Sequence, residues 1–122
     1  MTSSIKLTWF EENKNKPEKI KRVQNKYWRR ISSLRQSIEK MEILGVEFND
    51  EFLKKFSERF IFYVFEYSKL YSYLTFIKDN DWRWKKIYFD EKKDERKINR
   101  VKELVNDYKK GKKYLFACYQ LF

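Results

Sequence analysis

Residues 17–44 read PEKIKRVQNKYWRRISSLRQSIEKMEIL, and two stripes run through them. Apolar residues recur at Ile20, Val23, Tyr27, Ile31, Leu34, Ile38 and Met41, in steps of 3, 4, 4, 3, 4 and 3. The mean step of 3.5 residues is that of a helix-packing seam. At about 100° per residue a second arc holds Lys19, Arg22, Lys26, Arg29, Arg30, Ser33, Ser37 and Lys40, with no carboxylate among them. One face of this helix is built to be buried, and its neighbour to meet anions.

Both ends of the stretch are signalled. Asn15 is placed to cap, Pro17 falls in the first turn, and Glu18 follows Asn15 by three residues as in a capping box. At the other end Gly45 supplies the left-handed residue of a C-cap, with Val46 set against Met41 as in a Schellman motif. Asn49 then caps a second helix. Asp50 and Glu51 complement the positive end of its dipole, and Phe48 faces Leu53 as a hydrophobic staple. Helices joined by so short a turn run antiparallel, so residues 17–78 predict a helical hairpin.

Within 50–78 a seam of Leu53, Phe56, Phe60, Tyr63, Tyr67, Leu70, Leu74 and Ile77 alternates steps of 3 and 4. Phe52, Ile61, Phe62, Val64, Phe65, Tyr71, Tyr73 and Phe76 lie outside it. A helix apolar over most of its circumference is a central one. The unbroken stepping excludes a strand across Phe60–Tyr67, although aromatics and Val suit sheets. Glu66 and Lys69 oppose an integral membrane span, where each charge costs about 2.5–3.5 kcal/mol. Their spacing predicts an ion pair instead.

Asp79-Asn80-Asp81 breaks the pattern, and Trp82-Arg83-Trp84-Lys85-Lys86-Ile87-Tyr88-Phe89 follows as a connector over 82–90. A charged third helix runs from about 91 to 110 with a seam of Ile98, Val101, Val105 and Tyr108. Gly111 either stops it or sits inside the stripe, letting Leu115, Cys118 and Phe122 continue the phase. Tyr114–Phe122 is too apolar for a free tail. The arm at 1–16 lacks periodicity, though Leu7, Trp9 and Phe10 can fold back as packing anchors. The expected fold is one all-α domain: an antiparallel bundle of three long helices (17–44, 50–78 and from about 91), with a short apolar C-terminal extension over 113–122.

At 122 residues the chain supports one modest core. Twenty-nine Lys and Arg against 18 Asp and Glu leave +11, which favours phosphate-rich or acidic partners. Aromatics make up 20% of residues, too many for a solvated disordered segment. The charge is uneven: +6 over residues 1–44, −2 over 45–81 and +7 over 82–122. Ala117 is the sole alanine in a helix-rich chain, which helix propensity does not explain. Coding bias of an AT-rich genome (low-GC microbial, viral or organellar) does, so functional weight rests on where charges sit.

A lone cysteine, Cys118, excludes an intrachain disulfide and reads as a small core residue. With no His, Ser-His-Asp and Cys-His catalysis and four-coordinate zinc are excluded. Gly45 and Gly111 are the only glycines, so there is no phosphate-cradling loop. The opening Asp79-Asn80-Asp81 resembles a calcium loop but has Trp84 where glycine is needed and Asp90 where glutamate is needed. No catalytic residues, cofactor or metal are expected. Met1–Lys16 has no apolar targeting core or small-residue cleavage site and carries Glu11 and Glu12, so an unprocessed intracellular protein is expected.

Three constellations carry possible function. The basic arc of Lys19, Arg22, Lys26, Arg29, Arg30 and Lys40 can touch consecutive phosphates, with Ser33 and Ser37 as neutral donors; a merely solvated face is the plain alternative. Trp82, Arg83, Trp84, Lys85 and Lys86 can stack bases, grip a protein partner, or plug the end of the bundle. Lys109-Lys110-Gly111-Lys112-Lys113 binds phosphate or complements a helix C-terminus. The expectation is a small non-catalytic basic protein that docks on nucleic acid (RNA or DNA) or a nucleoprotein complex through phosphates. The alternative is a protein-only interaction module, either an accessory subunit of a larger assembly or a viral-type inhibitor of a host enzyme. A membrane surface is a third option. The 3.5-residue seam also suits a coiled-coil homodimer.

Overall fold

Apolar side chains over most of its circumference put the helix that begins at Asp50 at the centre, and the other helices arrange themselves as its covering. The computed structural model describes residues 4–76, 82–90, 93–111 and Tyr119. Five helices occur among them and no strand: α1 (Leu7–Asn13), α2 (Pro17–Ile43), α3 (Asp50–Thr75), α4 (Trp82–Phe89) and α5 (Lys93–Lys109). The chain is therefore all-α, but three helices with irregular flanks do not describe it. Part of the N-terminal arm and most of the connector are helical too.

α2 and α3 run antiparallel. Tyr27 meets Tyr63 and Trp28 meets Tyr67, while the Arg35 guanidinium, about two turns further along α2, lies over Phe60, earlier in α3 than either. α5 packs on another flank of α3 in the same sense, with Lys97 over Phe62 and Lys109 paired with Asp50 at 2.9 Å. α4 touches both α3 and α5, and α1 rests on α2. The seam of α2 is consumed inside the chain: Ile20, Tyr27, Ile31 and Ile38 are all buried.

The start of α2 departs from expectation. Its N-cap is Lys16, with no side-chain cap bond, so the Asn15–Glu18 capping box does not form. A residue preceding proline is pushed out of the α region, and Lys16 accordingly sits at φ −125°, ψ 66°. That places the helix boundary one residue beyond Asn15. The Lys16 carbonyl accepts from Lys19 and Ile20 N–H at 3.1 and 3.3 Å, while Pro17 has no N–H to satisfy.

The turn from α2 to α3 forms as its residues dictate. Val46 N–H donates to the Met41 carbonyl and Gly45 N–H to Glu42, both at 3.0 Å, with Gly45 at φ +75°: a complete Schellman motif. The Asn49 side chain accepts from Phe52 N–H at 2.8 Å, capping α3. Phe48 stacks on Phe52 with centroids 5.0 Å apart, and shares a cluster with Leu53. At its far end α3 stops at Thr75, and the Phe76 N–H bonds the Ser72 carbonyl. Ile77 to Asp81 lie outside the described residues.

Two clusters make the core. One gathers Ile31, Ile38, Leu53, Phe60, Ile61, Val101, Leu104 and Tyr119 where α2, α3 and α5 meet. The other gathers Phe10, Ile20, Tyr27, Leu70 and Trp84 around the C-terminal half of α3. Each fully buried apolar side chain of this size contributes roughly 1.5–3 kcal/mol. In α5 the seam begins at Val101 rather than Ile98, which is exposed, and includes Leu104. Val101 and Leu104 point along one line toward α3, and Ile98 is turned off it to the rim. α5 ends at Lys109, with Gly111 at φ +95°, so Gly111 is a stop. The predicted extension at 113–122, Cys118 included, lies outside the described residues except Tyr119. That ring is fully buried, stacked between Phe60 (4.6 Å) and Phe56 (5.5 Å), and hydrogen-bonded to Ser57 Oγ at 2.7 Å.

Tyr119→Ala is expected to remove about 3–5 kcal/mol of stability, as loss of a buried aromatic does. Gly45→Ala is expected to cost about 1–2 kcal/mol through its left-handed backbone alone, since an added Cβ would meet nothing within 4 Å. Urea denaturation followed by circular dichroism measures both.

Candidate nucleic-acid interface

Helix geometry sets the basic arc of α2 beside its buried seam, and most of it stays in solvent. Lys19, Arg22, Lys26, Arg29, Ser33 and Lys40 are exposed and Ser37 is half-buried. Neither Lys19, Arg22, Lys26, Arg29 nor Lys40 pairs with a carboxylate among the described residues. Cations elsewhere do: Lys55 with Glu51 at 2.8 Å, Arg100 with Glu103 at 2.6 Å, and Lys109 with Asp50.

Arg30 is the exception within the arc. It borders the seam on the helix surface, and its guanidinium lies 5.5 Å from the Tyr27 ring centroid and 5.4 Å from that of Tyr63. Its Nη1 is buried with no hydrogen-bond partner. A cation over aromatic faces gains from the ring quadrupoles, so Arg30 belongs to the α2–α3 interface more than to the exposed row. Beside it the Tyr27 phenol is pushed above its ordinary range, chiefly by burial and then by the Glu66 carboxylate, with Arg30 opposing.

The five residues from Trp82 to Lys86 do not form one surface. They fold as the first turns of α4, where alternate residues point to nearly opposite sides. Trp84 is 2% exposed and plugs the second cluster, its Nε1 donating to the Lys69 carbonyl at 3.3 Å. Trp82 is 66% exposed, with Lys86 Nζ 5.9 Å from its ring; Arg83 is exposed and Lys85 half-buried. In the third constellation Lys109 is held by Asp50 and Lys110 is exposed, while Lys112 and Lys113 lie outside the described residues.

The predicted Glu66–Lys69 pair is present and fully interior, at 3.0 Å. Sequence reasoning missed what it holds. Ser4 Oγ and Ile5 N–H donate to the Glu66 carboxylate at 2.6 and 3.0 Å, and Lys69 Nζ donates to the Ile5 carbonyl at 3.0 Å and Ser4 Oγ at 3.1 Å. The pair is a clasp for the N-terminal segment, holding Ser4 and Ile5. Also missed was Arg35, whose Nε donates to the Tyr119 carbonyl at 3.1 Å; burial pushes its pKa below the ordinary value. A third omission is a row of rings, Trp28, Tyr67, Tyr71 and Phe76, on the opposite flank of α2 from Lys19 and Lys26. The signal for it was Trp28, an indole belonging to neither stripe.

Among the described residues no group of three His, Cys, Asp or Glu could hold a metal ion, and no helix is long and apolar enough to cross a membrane. Compared with known protein families, curated proteins and solved structures, the chain matches none.

Lys69→Met strands a buried carboxylate and is expected to cost about 3–5 kcal/mol. The double replacement Glu66→Leu/Lys69→Met should cost clearly less than Lys69→Met alone, as read by urea denaturation. Equal losses would show that the charge on Glu66 is not what Lys69 compensates.

Proposed function

We propose that the protein docks on nucleic acid, or on a nucleoprotein complex, through phosphate contacts made by α2, and that it performs no catalysis. The observation that carries this reading is the exposed row Lys19, Arg22, Lys26 and Arg29, free of carboxylate partners among the described residues and set on a helix face that carries no carboxylate. At 1.5 Å per residue the row spans roughly 15 Å of helix. Phosphates recur about every 3.4 Å along a duplex strand, so several come within reach at once. Phosphate contacts position a protein without reading bases, so binding is weakly sequence-specific. Lys40 lies about three turns beyond Arg29 and serves as an outlying contact.

A protein partner is the second reading, favoured by the groove between α3 and α5. It encloses about 930 Å³ over Phe62, Ile98, Val101 and Val105, and its rim mixes Lys54, Lys97 and Lys102 with Glu58 and Asp94. Mixed charge around an apolar floor suits an amphipathic helix.

Charge reversal separates the two. Arg22→Glu/Lys26→Glu/Arg29→Glu is expected to abolish measurable binding to DNA and RNA at physiological salt. Single replacements should each flatten the slope of log affinity against log salt by about 0.7–0.9. Unchanged affinity and slope in the triple variant would defeat the phosphate reading. A partner that survives nuclease and high salt would then support the groove.

A further inference from the structure

The rings on the other flank of α2 are exposed together. Trp28 meets Tyr67 across the α2–α3 seam at 5.4 Å between centroids, Tyr67 stacks on Tyr71 at 6.0 Å with 22° between planes, and Tyr71 meets Phe76 edge-on at 6.3 Å. Trp28, Tyr71 and Phe76 are 46%, 43% and 73% exposed, and Tyr67 is half-buried beneath them. Isolated exposed rings are ordinary, but a contiguous row forgoes burial that packing would otherwise supply and marks a contact surface.

The charge around the row decides what covers it. From Lys19 to Ile38, α2 has no carboxylate, and residues 67–76 of α3 have none either. The nearby Glu66 is buried and engaged by Lys69, Ser4 and Ile5. Lys21 and Trp28 are two turns apart on the same side of α2, as are Arg22 and Arg29, and all four are exposed. Arg35 closes one end of the row, its guanidinium 5.9 Å from the Trp28 ring. The occupant must offer flat apolar faces to the rings and repeated negative charge to the cations. An unpaired nucleotide chain offers both in alternation. A duplex offers only the charge, because its bases already stack on one another.

We propose that Trp28, Tyr67, Tyr71 and Phe76 form a base-stacking platform, with Lys21, Arg22 and Arg29 holding the backbone, so that the nucleic acid bound is single-stranded. This rests on the phosphate-docking reading and adds the class of strand. A backbone crossing the crest of α2 from Arg22 and Arg29 carries its bases down onto the indole of Trp28 and along α3.

The test uses the full chain and fluorescence anisotropy across a salt series. The probes are a fluorescein-labelled oligothymidylate, the same strand annealed to oligoadenylate, and an abasic strand of equal length. The base-bearing single strand is expected to bind at least about tenfold more tightly than either of the others, the loss of one stacked base being about 5- to 150-fold. Trp28→Ala and Tyr71→Ala should each weaken oligothymidylate binding by that factor without altering the salt slope. Trp28→Phe should restore most of it, and circular dichroism verifies folding. Equal binding of abasic and base-bearing strands, or a Trp28→Ala protein that binds as wild type, overturns the platform. The phosphate row still stands in that case if Arg22→Glu/Lys26→Glu/Arg29→Glu abolishes binding. Failure to bind all three probes overturns both readings. Binding to phosphatidylserine vesicles that is lost in Trp28→Ala, with no preference for base-bearing strands, assigns the rings to a membrane surface and overturns the proposal.

Discussion

α3 carries apolar side chains on almost every side, and water is a poor neighbour for each of them. Its stability therefore depends on cover arriving from several directions at once. α2 supplies one flank with Ile20, Tyr27, Ile31 and Ile38, and α5 another with Val101 and Leu104. Phe10 of α1 and Trp84 of α4 close the C-terminal half, and Tyr119 lies over Phe56 and Phe60 nearer the N-terminus. None of the short covering pieces would be stable alone. A seven- or eight-residue helix in water does not repay its nucleation, so α1 and α4 exist because α3 has surface to offer them.

The same demand explains a costly polar feature of the interior. Glu66 and Lys69 lie on the face of α3 that the N-terminal segment covers, where a single buried charge would be severely unfavourable. Together they satisfy each other and also the backbone of Ile5, which has no helix or sheet partner there. The pair converts an irregular stretch of chain into a tolerable lid. Replacing it by apolar residues would keep α3 covered but leave Ile5 N–H and C=O without those partners, so the charges also fix where the segment lies.

Much of this was legible before any coordinates. The Schellman turn at Gly45, the Asn49 cap and the Glu66–Lys69 pair all depend on residues a few positions apart, whose chemistry leaves little choice, whereas Gly111 left a stop and a continuation equally open until α5 ended at Lys109. The failures share a different cause. Asn15 was a sound cap candidate by composition, yet Pro17 decided the boundary by excluding Lys16 from the helix. Trp82–Phe89 reads as a connector outside any helix seam, and its helical form goes with burial of Trp84 among Phe10, Tyr73 and Phe89, contacts that no local pattern announces. The clasp on Ser4 and the Arg35–Tyr119 bond join residues more than sixty positions apart, for which no local pattern exists. In the candidate interface the exposure of Lys19, Arg22, Lys26 and Arg29 followed from the helix wheel. The ring row did not, because it is shared between two helices and becomes a row only once they pack.

Arg30 ties the interior to the surface. Its planar cation rests against Tyr27 of its own helix and Tyr63 of α3, so sliding or rotating α2 against α3 would break that contact. Arg29 and Lys26 sit one and four residues away on a helix whose C-terminal end is held by the turn at Gly45. Long cationic side chains normally lose much of their value to rotamer freedom. A row mounted on a helix that cannot shift loses less, because only the side chains, and not their spacing, remain to be ordered. Trp28 is fixed by the same packing through Tyr67. The two flanks of α2 thus hold a constant separation across its crest, and that separation, rather than the total charge of +11, is what a bound strand would have to match.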